Sequence, residues 1–272
     1  MTSCVLFLSG IGALIFETLW LRVSGLVFGN SVWSTALILS SFMAGLALGN
    51  AIAASARVQR WRPLRLYAAL EIGVAIFGCA VVFSLPLVGE WLRPIWQTLW
   101  NYQPAVISLR FVLSFLILLV PTTAMGLTLP VLIEDPLLRR LDFGRVIGFL
   151  YGFNTLGAVV GALLGEVYLV KAFGVRGTSL AAGMASCLAA VIGWLLAKRD
   201  PESGAAAPCS KTLPVRVASN YQPPWRLLLV SFGAGCIFLA LEVVWFRFLR
   251  LYVASSATAF AVMLAVALAG IG

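Results

Sequence analysis

An all-α bundle of membrane-spanning helices is the fold class that this sequence predicts, and three observations predict it. Hydrophobic residues fill 61% of 272 positions, charged residues only 11%, and the mean hydropathy is +1.01, which is more apolar surface than a water-soluble domain can cover. Apolar runs of about 20 residues, the length that crosses a ~30 Å hydrocarbon layer, recur along the chain. Lys and Arg gather in alternate connections between those runs, the pattern of short cytoplasmic loops. The lipid bilayer is therefore the first partner that the sequence implies.

The runs fall near 4–27, 32–55, 66–88, 106–133, 146–170, 177–197 and 226–249, and an eighth begins near 257 and is still apolar at Gly272. A chain that stops inside a span is expected to be the front part of a longer gene product. The N-terminus lacks the basic region and the A-x-A-like cleavage site of a signal peptide and carries Glu17 within its apolar run, so it reads as a retained first helix. Arg57, Arg60, Arg62 and Arg65 follow the second run; Arg139, Arg140 and Arg145 follow the fourth; Lys198, Arg199, Lys211, Arg216 and Arg226 follow the sixth. These are twelve of the nineteen cations. They predict a multi-pass protein of the cell inner (plasma) membrane with its N-terminus and the 198–225 segment cytoplasmic. That segment is rich in Pro, Ser and Ala and reads as a flexible linker between a six-helix N-terminal half, 1–197, and the start of a second half, 226–272.

Composition also excludes. There is no histidine, so imidazole catalysis and His-ligated metal sites are out of reach. The net charge of +9 follows from loop cations facing anionic lipid, and nucleic acid is not an expected partner. Cys4, Cys79, Cys187, Cys209 and Cys236 are scattered singly with no C-x-x-C spacing and read as small packing residues. No Walker A sequence, nucleophile elbow or dinucleotide-binding glycine motif is present. No catalytic residue, metal or cofactor is expected within this chain.

An internal repeat refines the fold. Shifted by 225 residues, Phe7 meets Phe232, Gly10 meets Gly235, and Glu17-x-x-Trp20-x-Arg22 meets Glu242-x-x-Trp245-x-Arg247, followed by Ser31 with Ser256, Ala36 with Ala261 and Gly45 with Gly270. A unit of six spans returns to the same side of the membrane, so the copies run in parallel, as the halves of major facilitator transporters do. The expectation is a six-plus-six parallel repeat cut off in its eighth helix.

Four acids lie within the runs, and an intramembrane carboxylate is costly unless paired, protonated or wet. Glu71 sits about 8 Å from the cytoplasmic end of its helix, within reach of Arg65 or water, and Glu166 sits roughly 30 Å along the fifth run beside Lys171. Both read first as interface acids, with Glu166 kept as a candidate ligand contact. Glu17 and Glu242 lie past the midplane at repeat-related positions, with Trp20 and Trp245 three residues on, which puts indole and carboxylate on one helix face. Carboxylate beside indole suits an organic cation by charge and by cation–π attraction, and the two acids are expected to share a water-accessible cavity. The alternative is structural pairing with Arg22, Arg247 or Arg110. Gly148, Gly152, Gly157, Gly161 and Gly165 form a small-residue seam for close packing or for a moving gate. Asn154 among them is a candidate to bond a neighbouring helix or a substrate. Pro121-Thr-Thr-Ala-Met-Gly-Leu-Thr-Leu-Pro130 is expected to break or kink the fourth run, and Trp91, Trp96 and Trp100 to anchor an outward interfacial stretch.

Taken together, S-G-I-G-A-L-I-F-E-T-L-W-L-R (9–22), F-G-N-S-V-W-S (28–34), F-M-A-G-L-A-L-G (42–49), P-T-T-A-M-G-L-T-L-P (121–130) and Y-G-F-N-T-L-G-A-V-V-G-A (151–162) resemble the transmembrane region of membrane-fused spermidine synthases. These are polyamine aminopropyltransferases with a major-facilitator-like domain ahead of the enzyme. The resemblance implies a C-terminal soluble synthase domain of the same gene product, carrying the decarboxylated S-adenosylmethionine site and catalytic aspartates; none of those motifs occurs here, so no catalytic residue is carried over. Three readings stay open: a transporter-like domain that handles or senses a cationic amine, a non-transporting anchor for the synthase, and an independent permease.

Overall fold

The computed structural model describes residues 2–28, 32–55, 58, 61–99, 102–135, 143–199, 225–249, 251–252 and 256–271. The predicted 198–225 linker falls almost wholly outside them. The described residues are helical throughout: α1 Thr2–Phe28, α2 Val32–Ala53, α3 Pro63–Trp91, α4 Arg93–Leu99, α5 Gln103–Ile133, α6 Phe143–Leu164, a π-helical turn Gly165–Leu169, α7 Val170–Arg199, α8 Trp225–Leu249 and α9 Ser256–Ile271. Proline at the first turn, Pro63 in α3 and Pro104 in α5, starts a helix where its missing N–H costs nothing.

Among the described residues, five helical stretches are long and apolar enough to cross a membrane: Ser3–Val27, Pro63–Trp91, Pro104–Ile133, Gly144–Lys198 and Trp225–Leu249; Ile38–Ala53 and Thr258–Gly270 are shorter apolar helices. Gly144–Lys198 covers two predicted runs in 55 residues. It would be roughly 83 Å long if straight. It is not straight, because Gly174 has φ 68° and ψ −178°, a backbone conformation that only glycine adopts without strain, and the chain reverses there.

Contacts along the helices give their directions. Ser9, Phe16 and Val27 of α1 meet Glu71, Gly78 and Gly89 of α3 in ascending order, so these helices are parallel. Phe7, Ile11 and Ile15 likewise ascend against Gly157, Gly161 and Gly165, so α1 and α6 are parallel too. At Gly157 and Gly161 a Cβ would fall on the backbone of Phe7 and Ile11, which is the physical reason for that part of the glycine seam. Beyond Gly174 the order inverts: Cys79 meets Ser179 and Tyr67 meets Gly193, so α7 runs against α3. Gly45 and Gly49 of α2 ascend against Thr122 and Gly126 of α5.

Two expectations are corrected. The seam is split, since Gly148 and Gly152 face a groove of about 410 Å³ between α6 and α9 instead of α1. Of the break or kink expected in the fourth run, the break does not occur, since α5 continues through Pro121 and Pro130. The Thr122 hydroxyl donates to the carbonyls of Leu118 (2.6 Å) and Leu119 (3.3 Å), reinforcing the turn in which Pro121 removes a donor. The tryptophan stretch expected to face outward runs from the end of α3, where Trp91 is strongly exposed, into α4; the side chains of Trp96 and Trp100 lie outside the described set.

The main core packs Ile15, Phe16, Leu19 and Trp20 of α1 against Val74, Val81 and Leu85 of α3 and, from the far end of the chain, Phe246, Phe260 and Met263. A second cluster gathers Val5, Leu6, Leu64, Tyr67, Leu132, Leu150 and Ala189. Helix α8 is exposed along nearly all its length, and Glu242 and Phe246 are its buried residues. An acid on the single buried stripe of a largely apolar helix is the feature on which the site rests.

Candidate functional site

Glu17 on α1 and Glu242 on α8 are each 7% exposed and lie near enough for their carboxylates to interact electrostatically. One oxygen of each, Oε1, is buried without a hydrogen-bond partner among the described residues. The two acids thus lie close to one another, both buried, where the sequence reading expected a water-accessible cavity. Two like charges buried without partners would be unfavourable together.

The tryptophans part company with their acids. Trp20 is 1% exposed; it stacks on Phe16 with ring centroids 5.7 Å apart, tilts against Phe42, and donates its indole N–H to the Gly78 carbonyl at 3.2 Å. It is a core residue, and its donor is already used. Trp245 is 47% exposed and lines an apolar groove of about 610 Å³ between α8 and α9 with Phe238, Phe248, Met263 and Val266. Glu242 faces the core while Trp245 faces this groove, so indole and carboxylate do not share a face. The i, i+3 spacing allowed either arrangement, and coverage of α8 on one stripe decided it.

Arg22 does not pair with Glu17. It forms an ion pair with Glu166, which also accepts a hydrogen bond of 3.2 Å from the Thr258 hydroxyl of α9. Glu166 is buried and sits in the π-helical turn, whose extra residue per turn re-aims side chains. Glu166 thus ties α1 to α9. Arg247 is exposed, and the side chain of Arg110 lies outside the described set. Asn154 is half-buried, and its main-chain carbonyl faces Gly10 on α1.

A second polar cluster was missed. Glu71 is 1% exposed and accepts a hydrogen bond of 2.5 Å from the Ser9 hydroxyl, while the hydroxyls of Tyr67 and Ser186 face the same carboxylate. Its carboxylate is met by hydroxyls, while Arg65, expected as its partner, is exposed. Hydroxyls in apolar helices carry no signal of their own, and only the crossing of α1, α3 and α7 brings these together. Among the described residues no group of three His, Cys, Asp or Glu side chains is placed to hold a metal ion.

Fold and site together define a class: an all-helical protein of long apolar helices, compatible with a multi-pass membrane protein, with acids enclosed in its interior. The chain is similar, at 26% identity over 189 residues, to a protein described as polyamine aminopropyltransferase 1 of Streptomyces coelicolor; the match covers 68% of this chain and 32% of that protein. The chain thus spans about a third of the length of this curated relative. No family model matches the chain, and no solved structure matches it.

Proposed function

We propose that this chain is the membrane domain of a fused aminopropyltransferase of the spermidine synthase kind, handling or sensing a polyamine or related amine beside a soluble synthase domain of the same gene product. In this reading residues 1–197 are the first half of a major-facilitator-like parallel repeat. Residues 198–225 are a cytoplasmic linker, and 226–272 begin the second half in the plasma membrane, with the N-terminus cytoplasmic. The observation that carries it is the Glu17–Glu242 pair. Two enclosed carboxylates, each with an oxygen lacking a donor, match a flexible chain that brings two ammonium groups, and the described name of the relative supports that ligand class.

A second reading, a non-transporting anchor, is favoured by the Arg22–Glu166–Thr258 tie and by Trp20 in the core. Spermidine binding to purified protein separates the two. If an amine is the ligand, Glu17→Gln and Glu242→Gln each abolish binding while yield is unchanged. If the bundle is only an anchor, the wild type binds no spermidine, and neutralising either acid leaves stability equal or higher, since a buried unpartnered charge has been removed.

A further inference from the structure

We propose that the Arg22–Glu166–Thr258 tie is a gate that shuts one end of the Glu17–Glu242 enclosure. Its role is to control access to the two acids, not to bind what they take. The proposal rests on the acids being enclosed and not on the amine reading.

Three layers follow one another along α1 away from its N-terminus. In the first, Glu17 lies beside Glu242 of α8, both buried. In the second, the core that holds Trp20 and Leu21 also holds Phe246 of α8 and Phe260 of α9, whose buried rings meet edge to face with centroids 5.7 Å apart. In the third stands Arg22, five residues beyond Glu17 and so roughly 7.5 Å further along the axis. It pairs with Glu166 in the π-helical turn, and the Thr258 hydroxyl of α9 donates to the same carboxylate oxygen at 3.2 Å. Arg22 is partly exposed, whereas Phe246 and Phe260 are buried. At this end of α1 solvent therefore reaches the third layer and stops at the second.

The third layer holds the second in place. Thr258 stands two residues before Phe260, roughly 3 Å along α9, so fixing one fixes the backbone that carries the other. Phe246 follows Glu242 by one turn, and these two are the buried residues of α8; the ring packed on Phe260 is thus the ring that covers the acid. The tie can also let go. Water already reaches Arg22, so opening exchanges the ion pair for hydration on the arginine side. Glu166 sits in a π-helical turn, an irregularity that occurs frequently at functional sites. A clamp of this kind acts through populations: whatever weakens it raises the open fraction in proportion.

The test is carboxyl modification of the purified protein in detergent by a water-soluble carbodiimide with glycinamide, each acid followed by mass spectrometry. In the wild type Glu17 and Glu242 should react slowly. Thr258→Val, which removes one hydrogen bond of the tie, should speed both about threefold, and Arg22→Met, which removes the ion pair, about tenfold or more. Phe260→Leu should speed both with the tie intact, because it opens the second layer directly. Glu71, buried in a separate cluster with Ser9, is the internal control: its rate should stay unchanged in every variant, which separates a local opening from a loosening of the whole bundle. Should Arg22→Met fail to fold, Thr258→Val and Phe260→Leu carry the test. The proposal is overturned if Glu17 and Glu242 react in the wild type as fast as the exposed Glu90. It is equally overturned if the tie variants leave both rates unchanged, or if Glu71 speeds up by the same factor.

Discussion

Removing the Arg22 guanidinium should destabilise the bundle through Glu166 and not through Glu17. Glu166 is 4% exposed and holds Arg22 and the Thr258 hydroxyl; Arg22 itself is 28% exposed. Breaking a buried ion pair from one side costs about 3–5 kcal/mol, and partial access of water to Arg22 brings the expected cost of Arg22→Met down to about 2–3 kcal/mol. Glu166→Gln should cost about 2 kcal/mol by the same reasoning, tempered by the amide's remaining hydrogen bond to Thr258. The double substitution leaves no orphaned charge and should cost no more than about 2 kcal/mol, giving a coupling energy of about 2 kcal/mol. Thr258→Val, which deletes one hydrogen bond in an apolar surrounding, should cost about 0.6 kcal/mol. Equilibrium unfolding in mixed detergent micelles gives each value. A coupling below about 0.5 kcal/mol between Arg22 and Glu166, together with a larger one between Arg22 and Glu17, would refute the pairing and restore the local E-x-x-W-x-R interaction in its place.

Two further outcomes are expected. Gly161→Leu should cost about 3 kcal/mol or more, because even its Cβ would fall on the Ile11 backbone, whereas Gly148→Ala, with no atom within 4 Å of the added carbon, should change stability by less than about 0.5 kcal/mol; melting temperatures in detergent distinguish them. Cysteines placed at Arg60 or within 200–220 should react with an impermeant thiol reagent only from the cytoplasm and one at Trp96 only from outside, and the reverse pattern would overturn the orientation drawn from the loop cations.

The helices were legible because their cause is one-dimensional. Apolar length and loop charge are properties of consecutive residues, so runs such as 32–55 and 226–249 reappear as α2 and α8 within two or three residues. Glu17 and Glu242 were legible through the repeat, which relates distant positions without any contact being known. What failed is whatever depends on which face of a helix is covered. Trp20 and Trp245 occupy equivalent positions, but α1 is packed on several sides and α8 on one, so one indole is buried and the other lines a groove. The partner of Arg22 lies 144 residues away and is aimed by a π-helical turn that no local pattern announced. Glu71 was assigned to the rim from its depth on one helix, and depth on one helix says nothing about Ser9 and Ser186 arriving from two others.

Helix α1 supplies Ser9 to one polar cluster, Glu17 to the second and Arg22 to the third, and it packs against α2, α3, α6, α7 and α9. Twenty-seven residues make a rod of roughly 40 Å, stiff over its length because every backbone bond is internal. Where it meets Gly157 and Gly161 the contact is main chain on main chain, with no long side chain between to absorb a displacement. Sliding α1 along α6 therefore means lifting one ridge over the next, while tilting the two helices as one body leaves their seam intact. Motion in this protein is thus expected to be the rocking of a mast and not the stroke of a piston, and any tilt of that mast moves Ser9, Glu17 and Arg22 by different amounts in fixed proportion. Occupancy of one cluster becomes geometry at the other two.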